Sequence, residues 1–222
     1  MVRLAEVAEL RARAFRRISW TALMLKAYSL VAADCPALRR AYVRWPWPHL
    51  VEMPGSVGMV AINRHDAARD EDRLCWGRFI EPQAQTLVGL QESLERYQTA
   101  PIEEAFRQQV QLSRLPLLLR RAIWGWNLNS AGPKRARRVG TFSLTTLAGQ
   151  GACNRSHPTI HTTGLTYGPL DAAGQSLVTL ICDHRVLDGV LAAQAIGELE
   201  AALNGPIARE LAGLAARQAP AA

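Results

Sequence analysis

The stretch Cys182-Asp183-His184-Arg185-Val186-Leu187-Asp188-Gly189 leaves an apolar, β-prone run, LVTLI at residues 177–181, and enters a run of helical periodicity, GVLAAQAIGELEAAL at residues 189–203. A chain that leaves a strand through His, Arg and Asp, instead of through a plain turn, presents an imidazole at the strand's end. In open α/β sheets, ligands gather outside the C-terminal ends of the strands. An imidazole with an unperturbed pKa of about 6.5 is suited to taking a proton near neutral pH. On residue chemistry alone, a histidine beside an aspartate more often serves a structural ion pair than catalysis, so the rest of the chain has to supply the context.

Working outward, TIHTTGLTYGP (159–169) and QSLVTLICD (175–183) read as two strands turned by LDAAG. TFSLTTLAG (141–149) reads as a third, followed by a Gly- and Ser-containing loop to about Pro158. SVGMVAINR (56–64) and LCWGRFIEP (74–82) form another pair across the polar stretch HDAARDED. Helical spacing of apolar residues marks LAEVAELRARAFRR (4–17), TALMLKAYSLVAAD (21–34) with Ser19 as N-cap, and residues 85–98. A further helical block, residues 102–126, contains Pro116 and is predicted to kink or divide there. The final helices are GVLAAQAIGELEAAL, stopped by Asn204-Gly205-Pro206, and IARELAGLAAR. The stretches ALRRAYVRWPWPHLVEMPG (37–55) and AGPKRARRVG (131–140) read as loops, and the tail QAPAA as a frayed end. Strands and helices mix without strict alternation. This predicts one α/β domain over residues 1–222, with a mixed sheet, packed helices and a helical insertion at residues 101–130.

Composition narrows the function classes. With 49% hydrophobic and 20% charged residues, the 222-residue chain is built to bury a core. No apolar run approaches the roughly 20 residues that span a bilayer. TALMLKAYSLVAA is interrupted by Lys26 and lacks a cleavage pattern, which argues against a signal peptide. Cys35, Cys75, Cys153 and Cys182 lie far apart with no CxxC, pointing to neither a disulfide framework nor zinc, and a reducing cytoplasm is the simplest location. The net charge of +7, carried almost entirely by Arg, favours an acidic partner, although codon bias is the better account of Arg over Lys. The run KRARR at 134–138 could attract a phosphate-bearing ligand, an acidic carrier protein or anionic lipid.

Competing site signals fail. GQGACN (149–154) begins like a phosphate loop but has Asn154 where a third glycine belongs, and there is no GxSxG elbow. Cys153, His157 and His161 are evenly spaced, but Pro158 and the surrounding Gly and Thr oppose the helix that a metal stripe would need, so no metal site is expected. Asn154-Arg155-Ser156 fits a glycosylation sequon without meaning in a cytoplasmic protein. The Trp-rich stretches RWPWP and IWGWN are more often core or interface than ligand platforms.

Taken together, the residues resemble a known family. Asp183-His184-Arg185-Val186 with Asp188-Gly189 is similar to the His-x-x-x-Asp-Gly motif shared by dihydrolipoamide acyltransferase catalytic domains and chloramphenicol acetyltransferase, and is closer to the former. TALMLKAYSLVAADCPAL resembles that family's early helix, VGMVAINR the strand after it, and GTFSLTTLAG the Gly-Thr-Phe-x-x-Ser-Asn-Leu-Gly strand that faces the histidine. The resemblance covers nearly the whole chain. It implies the chloramphenicol-acetyltransferase-like fold and a trimer whose active sites lie between subunits. It implies His184 as general base on a thiol, and a hydroxyl from the neighbouring subunit on the tetrahedral oxyanion. Thr145 stands where the motif has Ser, with Thr146 in reserve as a substrate contact beside Gly189. Asp188 is implied as a structural partner, usually for an arginine, and Arg11, Arg13, Arg16 and Arg17 are available to it.

The departures from the pattern concern the substrate. Ser-Asn-Leu-Gly becomes Thr-Thr-Leu-Ala, and Cys182 replaces a Phe two residues before the histidine. No lipoyl or subunit-binding domain is found, and neither Lys26 nor Lys134 has the context of a lipoyl attachment site. The expected activity is thioester-dependent acyl transfer with no covalent cofactor, using coenzyme A or an acyl carrier or lipoyl-type thiol. The alternative is a non-catalytic trimeric scaffold of the same fold, which a site plugged by Trp124 or Trp126 would favour. Nucleic acid is not expected as a partner. A peripheral membrane contact rests only on KRARR and the net charge, and it ranks last.

Overall fold

In the computed structural model, which describes residues 1–66 and 69–216, strands β1 (Val2–Arg3), β2 (Arg40–Val43), β3 (His49–Glu52), β4 (Val57–Asp66), β5 (Glu71–Ile80), β6 (Phe142–Thr146), β7 (Thr163–Leu170) and β8 (Gln175–Cys182) form two sheets. The larger has the order β1-β8-β7-β6-β4-β5. β6 lies parallel to both β4 and β7, and the remaining pairs are antiparallel, so the sheet is mixed as expected.

Period-two alternation gives this sheet two unlike faces. Val60, Ile62, Phe142, Leu144, Leu165, Tyr167, Val178 and Leu180 look into the main core. Helices α1 (Ala5–Arg13), α2 (Trp20–Asp34), α3 (Leu87–Thr99), α8 (Gly189–Ala202) and α9 (Ala208–Ala216) contribute to that core. Ser19 caps α2 as its sequence predicts, its hydroxyl accepting from Ala22 N at 3.2 Å. α2 buries ten of its fifteen residues, including Lys26. Lys26 is neutralised by Glu210 of α9, whose second oxygen accepts from Leu87 N at 2.7 Å at the start of α3. One carboxylate thereby ties three helices together.

The other face of the sheet carries the small and polar residues Asn63, Ser143, Thr145, Gly164, Thr166 and Thr179 beside Met59, Trp76, Leu177 and Ile181. On this face the loop after β6 runs lengthwise over β7. Cys153 Sγ sits 2.5 Å from where a Cβ on Gly168 would stand, and His157 Nε2 sits 2.8 Å from one on Gly164. Those two glycines are the niches that seat the loop.

Residues 101–130 are helical, as α4 (Ile102–Ala105), α5 (Arg107–Ser113) and α6 (Leu117–Leu128), with the break at Pro116. The Gln109 side chain of α5 both donates to and accepts from the backbone of Trp76 on edge strand β5, at 2.7 and 3.0 Å, which closes that edge.

Three sequence readings are corrected. Residues 37–55 are not all loop. They contain the β2–β3 hairpin, because Pro46 and Pro48 lie in its turn and leave both strands free to pair. AGPKRARRV is not a loop but carries helix α7 (Gly132–Val139). Pro133 starts it, Gly140 ends it at φ 95°, and Ala136 and Val139 are buried on its inner side. Asn204-Gly205-Pro206 does not stop α8. The chain passes through a π turn, Leu203–Ile207, straight into α9. A widened turn tolerates a proline without an N–H, and burial of Leu203 and Ile207 holds it there. The tail QAPAA lies outside the described residues. Among the described residues, no helix is long and apolar enough to cross a membrane.

Candidate active site

The turn that carries His184 is built from its neighbours. Asp183 N donates to Thr162 O at 2.8 Å, which continues the β7–β8 ladder one residue beyond Cys182. Asp183 O accepts from Val186 N and Leu187 N at 2.9 and 3.1 Å, closing the turn, and Leu187 is buried beneath it. The Asp183 carboxylate takes a two-point ion pair from Arg185, with Nη2 to Oδ2 at 2.6 Å and Nε to Oδ1 at 2.9 Å. That guanidinium holds the Asp183 carboxyl below the usual carboxylate range. The same guanidinium lies over the Tyr42 ring, 4.2 Å from its centroid, so the β2–β3 hairpin props the turn from outside. His184 projects from this frame into solvent with no hydrogen-bond partner among the described residues.

Asp188 does different work from that implied by the resemblance. Its Oδ1 accepts from Leu191 N at 2.8 Å, capping α8. None of the ion pairs among the described residues joins it to Arg11, Arg13, Arg16 or Arg17. Those arginines are engaged elsewhere or stand apart: Arg16 pairs with Glu92 and Glu95, Arg13 with Glu9, and Arg11 donates to Ile18 O. Gly189 opens α8 with nothing within 4 Å of where a Cβ would stand, so no close backbone approach requires glycine there. The strand-end argument also needs correction. β8 runs antiparallel to β7, so His184 lies at the N-terminal end of the parallel strands β6 and β7, not at their C-terminal edge.

The two candidate hydroxyls have unlike environments. Thr146 points to the core side, donates its one proton to Tyr167 O at 2.7 Å and accepts from Ala148 N at 3.0 Å, so it has no proton left to offer and closes the end of β6. Thr145 looks out from the polar face, half-buried, and makes no hydrogen bond among the described residues. It sits in a threonine row across three strands, paired in register with Thr166, which pairs with Thr179.

His184 and Thr145 are kept apart within one chain. Thr145 is level with Thr179, and His184 lies beyond Cys182 on the same strand as Thr179. At about 3.3 Å per residue and about 4.8 Å per strand, the backbone positions differ by roughly 17 Å along the strands and 10 Å across them. A cleft of about 870 Å³ opens at the other end of β6 and β7, lined by Arg11, Arg17, Gln91, Thr146 and Tyr167 among others, and neither His184 nor Thr145 reaches it.

Two partly buried histidines complete the polar face. His161 Nε2 donates to Val139 O at 2.8 Å, so its Nδ1 is the acceptor for Thr159 Oγ1 at 3.2 Å. Thr159 in turn accepts from Ser143 Oγ at 3.2 Å, and Ser143 lies 3.4 Å from His157 Nε2. Burial depresses both imidazoles, that of His161 to about 4. The Cys153, His157, His161 stretch is irregular backbone, not a helix. Among the described residues, no group of three or more His, Cys, Asp or Glu is placed to hold a metal ion. The four cysteines are free.

Comparison with solved structures places this geometry. The Azotobacter vinelandii dihydrolipoamide acetyltransferase superposes with a TM-score of 0.63 at 15% identity, covering 95% of this chain and 81% of that one. The cubic core of a pyruvate dehydrogenase multienzyme complex gives 0.63 at 16% identity over the same shares. The chain has the fold of the dihydrolipoamide acetyltransferase catalytic core. Chloramphenicol acetyltransferase shares it more distantly, with a TM-score of 0.51 at 11% identity over 91% of this chain and 84% of that one. No protein-family model matches the sequence, and no curated protein matches it. At these identities the acetyltransferase likeness is a likeness of fold, and the chemistry has to be argued from the residues themselves.

Proposed function

We propose that the chain is an acyltransferase that moves an acyl group between a thioester and an acceptor, at a site completed between two copies of itself. One observation carries this reading. A solvent-facing, unpartnered imidazole on a clamped turn and an unpartnered threonine hydroxyl on the polar sheet face cannot meet in one chain, yet each is free to meet the other across an interface. In the Azotobacter vinelandii acetyltransferase, which shares the fold, a serine, a histidine and an asparagine have been studied for their roles in the catalytic mechanism. Thr145, His184 and Asp188 supply a hydroxyl, an imidazole and an oxygen acceptor in the matching motifs.

The reaction needs three groups. The His184 imidazole of one copy takes the proton from the acceptor thiol, and the thiolate attacks the thioester carbonyl carbon. The oxyanion that forms accepts a hydrogen bond from the Thr145 hydroxyl of a neighbouring copy. Collapse of the tetrahedral intermediate expels the original thiolate, which recovers the proton from the imidazolium. No acyl-enzyme forms. Asp188 acts indirectly by fixing the start of α8, and the Asp183–Arg185 pair fixes the turn. Coenzyme A or a carrier-bound thiol fits the thioester role, and a trimer is the assembly that the sequence resemblance implies for such a site.

The test is thioester turnover with acetyl-coenzyme A and dihydrolipoamide, beside calorimetric binding of coenzyme A. His184→Ala is expected to lower the turnover rate by about 10²–10⁴ with the oligomer and the coenzyme A affinity unchanged. Equal turnover by the variant would sink the mechanism. The same fold used only as a scaffold is the second reading. It is favoured if the wild-type protein assembles but binds neither coenzyme A nor an acyl carrier protein. Trp124 and Trp126 do not decide between the two, because both are exposed on α6 and neither is packed into the core.

A further inference from the structure

Helix α6 buries no residue and leaves most of its apolar side chains uncovered. Leu118, Ala122 and Trp126 recur every four residues and stack into one stripe. That stripe faces solvent, with Leu118 79% and Trp126 70% exposed. The residues turned toward the protein, Arg120, Ile123, Asn127 and Leu128, are only partly buried. An ordinary surface helix has the reverse arrangement. Beside its C-terminal end lies a second exposed aromatic group. Trp45 N donates to Asn129 Oδ1 at 3.0 Å, which fixes the β2–β3 turn, with Trp45 and Trp47 each 67% exposed, against the end of α6.

The charge around this apolar surface has one sign. From Ala105 to Leu170 the chain has nine Lys and Arg residues and not one Asp or Glu, which exceeds the net charge of the whole protein, +7. None of the nine takes part in an ion pair among the described residues. α7 directs Lys134, Arg137 and Arg138 outward next to α6, and Arg121 stands within α6 itself.

We propose that the outward face of α6, with the Trp45–Trp47 turn, docks on the surface of an anionic lipid bilayer. Leu and Trp side chains enter the interfacial layer, where tryptophan is favoured, and the flanking cations meet lipid phosphates. At 12 residues α6 is about 18 Å long, enough to lie along a surface and too short to cross the apolar layer. A second copy seated face to face would bring the same unpaired cations together, which like charges oppose; a head-to-tail contact in a ring is the competing occupant, and the oligomer mass of the variants below separates it from lipid.

The test is flotation of the full-length protein with vesicles of phosphatidylcholine alone or with about a third phosphatidylglycerol, beside the oligomer mass from light scattering. Binding to the anionic vesicles is expected, with little binding to the neutral ones. The bound fraction is expected to fall at least tenfold in 0.5 M salt. Leu118→Glu with Trp126→Glu is expected to lose binding at least tenfold at unchanged oligomer mass and unchanged melting, since α6 buries no residue. Arg121→Glu with Lys134→Glu is expected to do the same. Failure to bind anionic vesicles, or equal salt-insensitive binding to neutral ones, would overturn the proposal. So would a loss of oligomer mass in the Leu118→Glu/Trp126→Glu protein, which would mark the face as a contact between copies. Turnover on soluble thioesters reports separately on the catalytic reading.

Discussion

His184 and Thr145 are polar side chains on rigid backbone that the chain itself leaves unbonded, and that shared condition separates them from their neighbours. Thr146, one residue on, has its only proton spent on Tyr167 O and also accepts from Ala148 N. The two threonines therefore predict opposite phenotypes. Thr145→Ala is expected to lower kcat by about 10²–10³ with little change in melting, as loss of one oxyanion donor does. Thr146→Ala is expected to cost about 1–2 kcal/mol of stability, because Ala148 N loses its acceptor, and to leave turnover per folded molecule nearly intact. Chemical denaturation beside steady-state kinetics separates them. The sequence could name both hydroxyls but not choose between them on residue type. The motif ranked Thr145 ahead of Thr146, and alternation along β6 puts the two on opposite faces, Thr146 toward the core and Thr145 on the polar face. Asp188 was legible as a structural residue. Its partner was not, because an N-cap bond and an ion pair use the same carboxylate.

At the scale of elements, the molecule depends on a few shared polar groups. Glu210 neutralises the buried Lys26 and caps the start of α3. Glu210→Gln is expected to destabilise the fold by about 3 kcal/mol, since it leaves an ammonium largely buried without its counter-charge. Lys26→Met in the same background is expected to recover much of that loss, and denaturant unfolding of the four proteins would measure the coupling. The polar face holds a second such group. His161 links the end of α7 to the loop over β7, and burial holds its imidazole at about 4 against about 6.5 when unfolded. A base with a lowered folded pKa binds fewer protons folded than unfolded between those two values. Stability from this group is complete above about pH 6.5 and falls as the pH drops toward 4, by about 3 kcal/mol in all. Melting temperature followed across that window should flatten in His161→Gln relative to wild type. α7 itself was missed in the sequence because its charges outnumber its apolar residues. The start at Gly132-Pro133 and the stop at Gly140 were the available signals.

For the whole molecule, the central prediction is complementation. If each site takes His184 from one copy and Thr145 from the next, then His184→Ala and Thr145→Ala subunits, each inactive alone, should form active sites when unfolded together and reassembled. Random assembly in equal amounts leaves about a quarter of the interfaces with both groups intact, so about a quarter of wild-type turnover is expected. No recovery in verified mixed oligomers would place the two groups in separate roles. The residue pattern by itself determined the mixed sheet, the cap of α2, and the existence of a histidine turn at the end of a strand, because these depend on local periodicity and on side chains bonding their own backbone. Only the tertiary structure decided the direction of β8, the β2–β3 hairpin that props Arg185, the continuity of α8 through Pro206 and the outward stripe of α6. Each of those depends on which groups from distant parts of the chain cover one another, and pairing across long loops leaves no periodic trace in the sequence. The separation of His184 from Thr145 belongs with them, since it follows from the register of three strands.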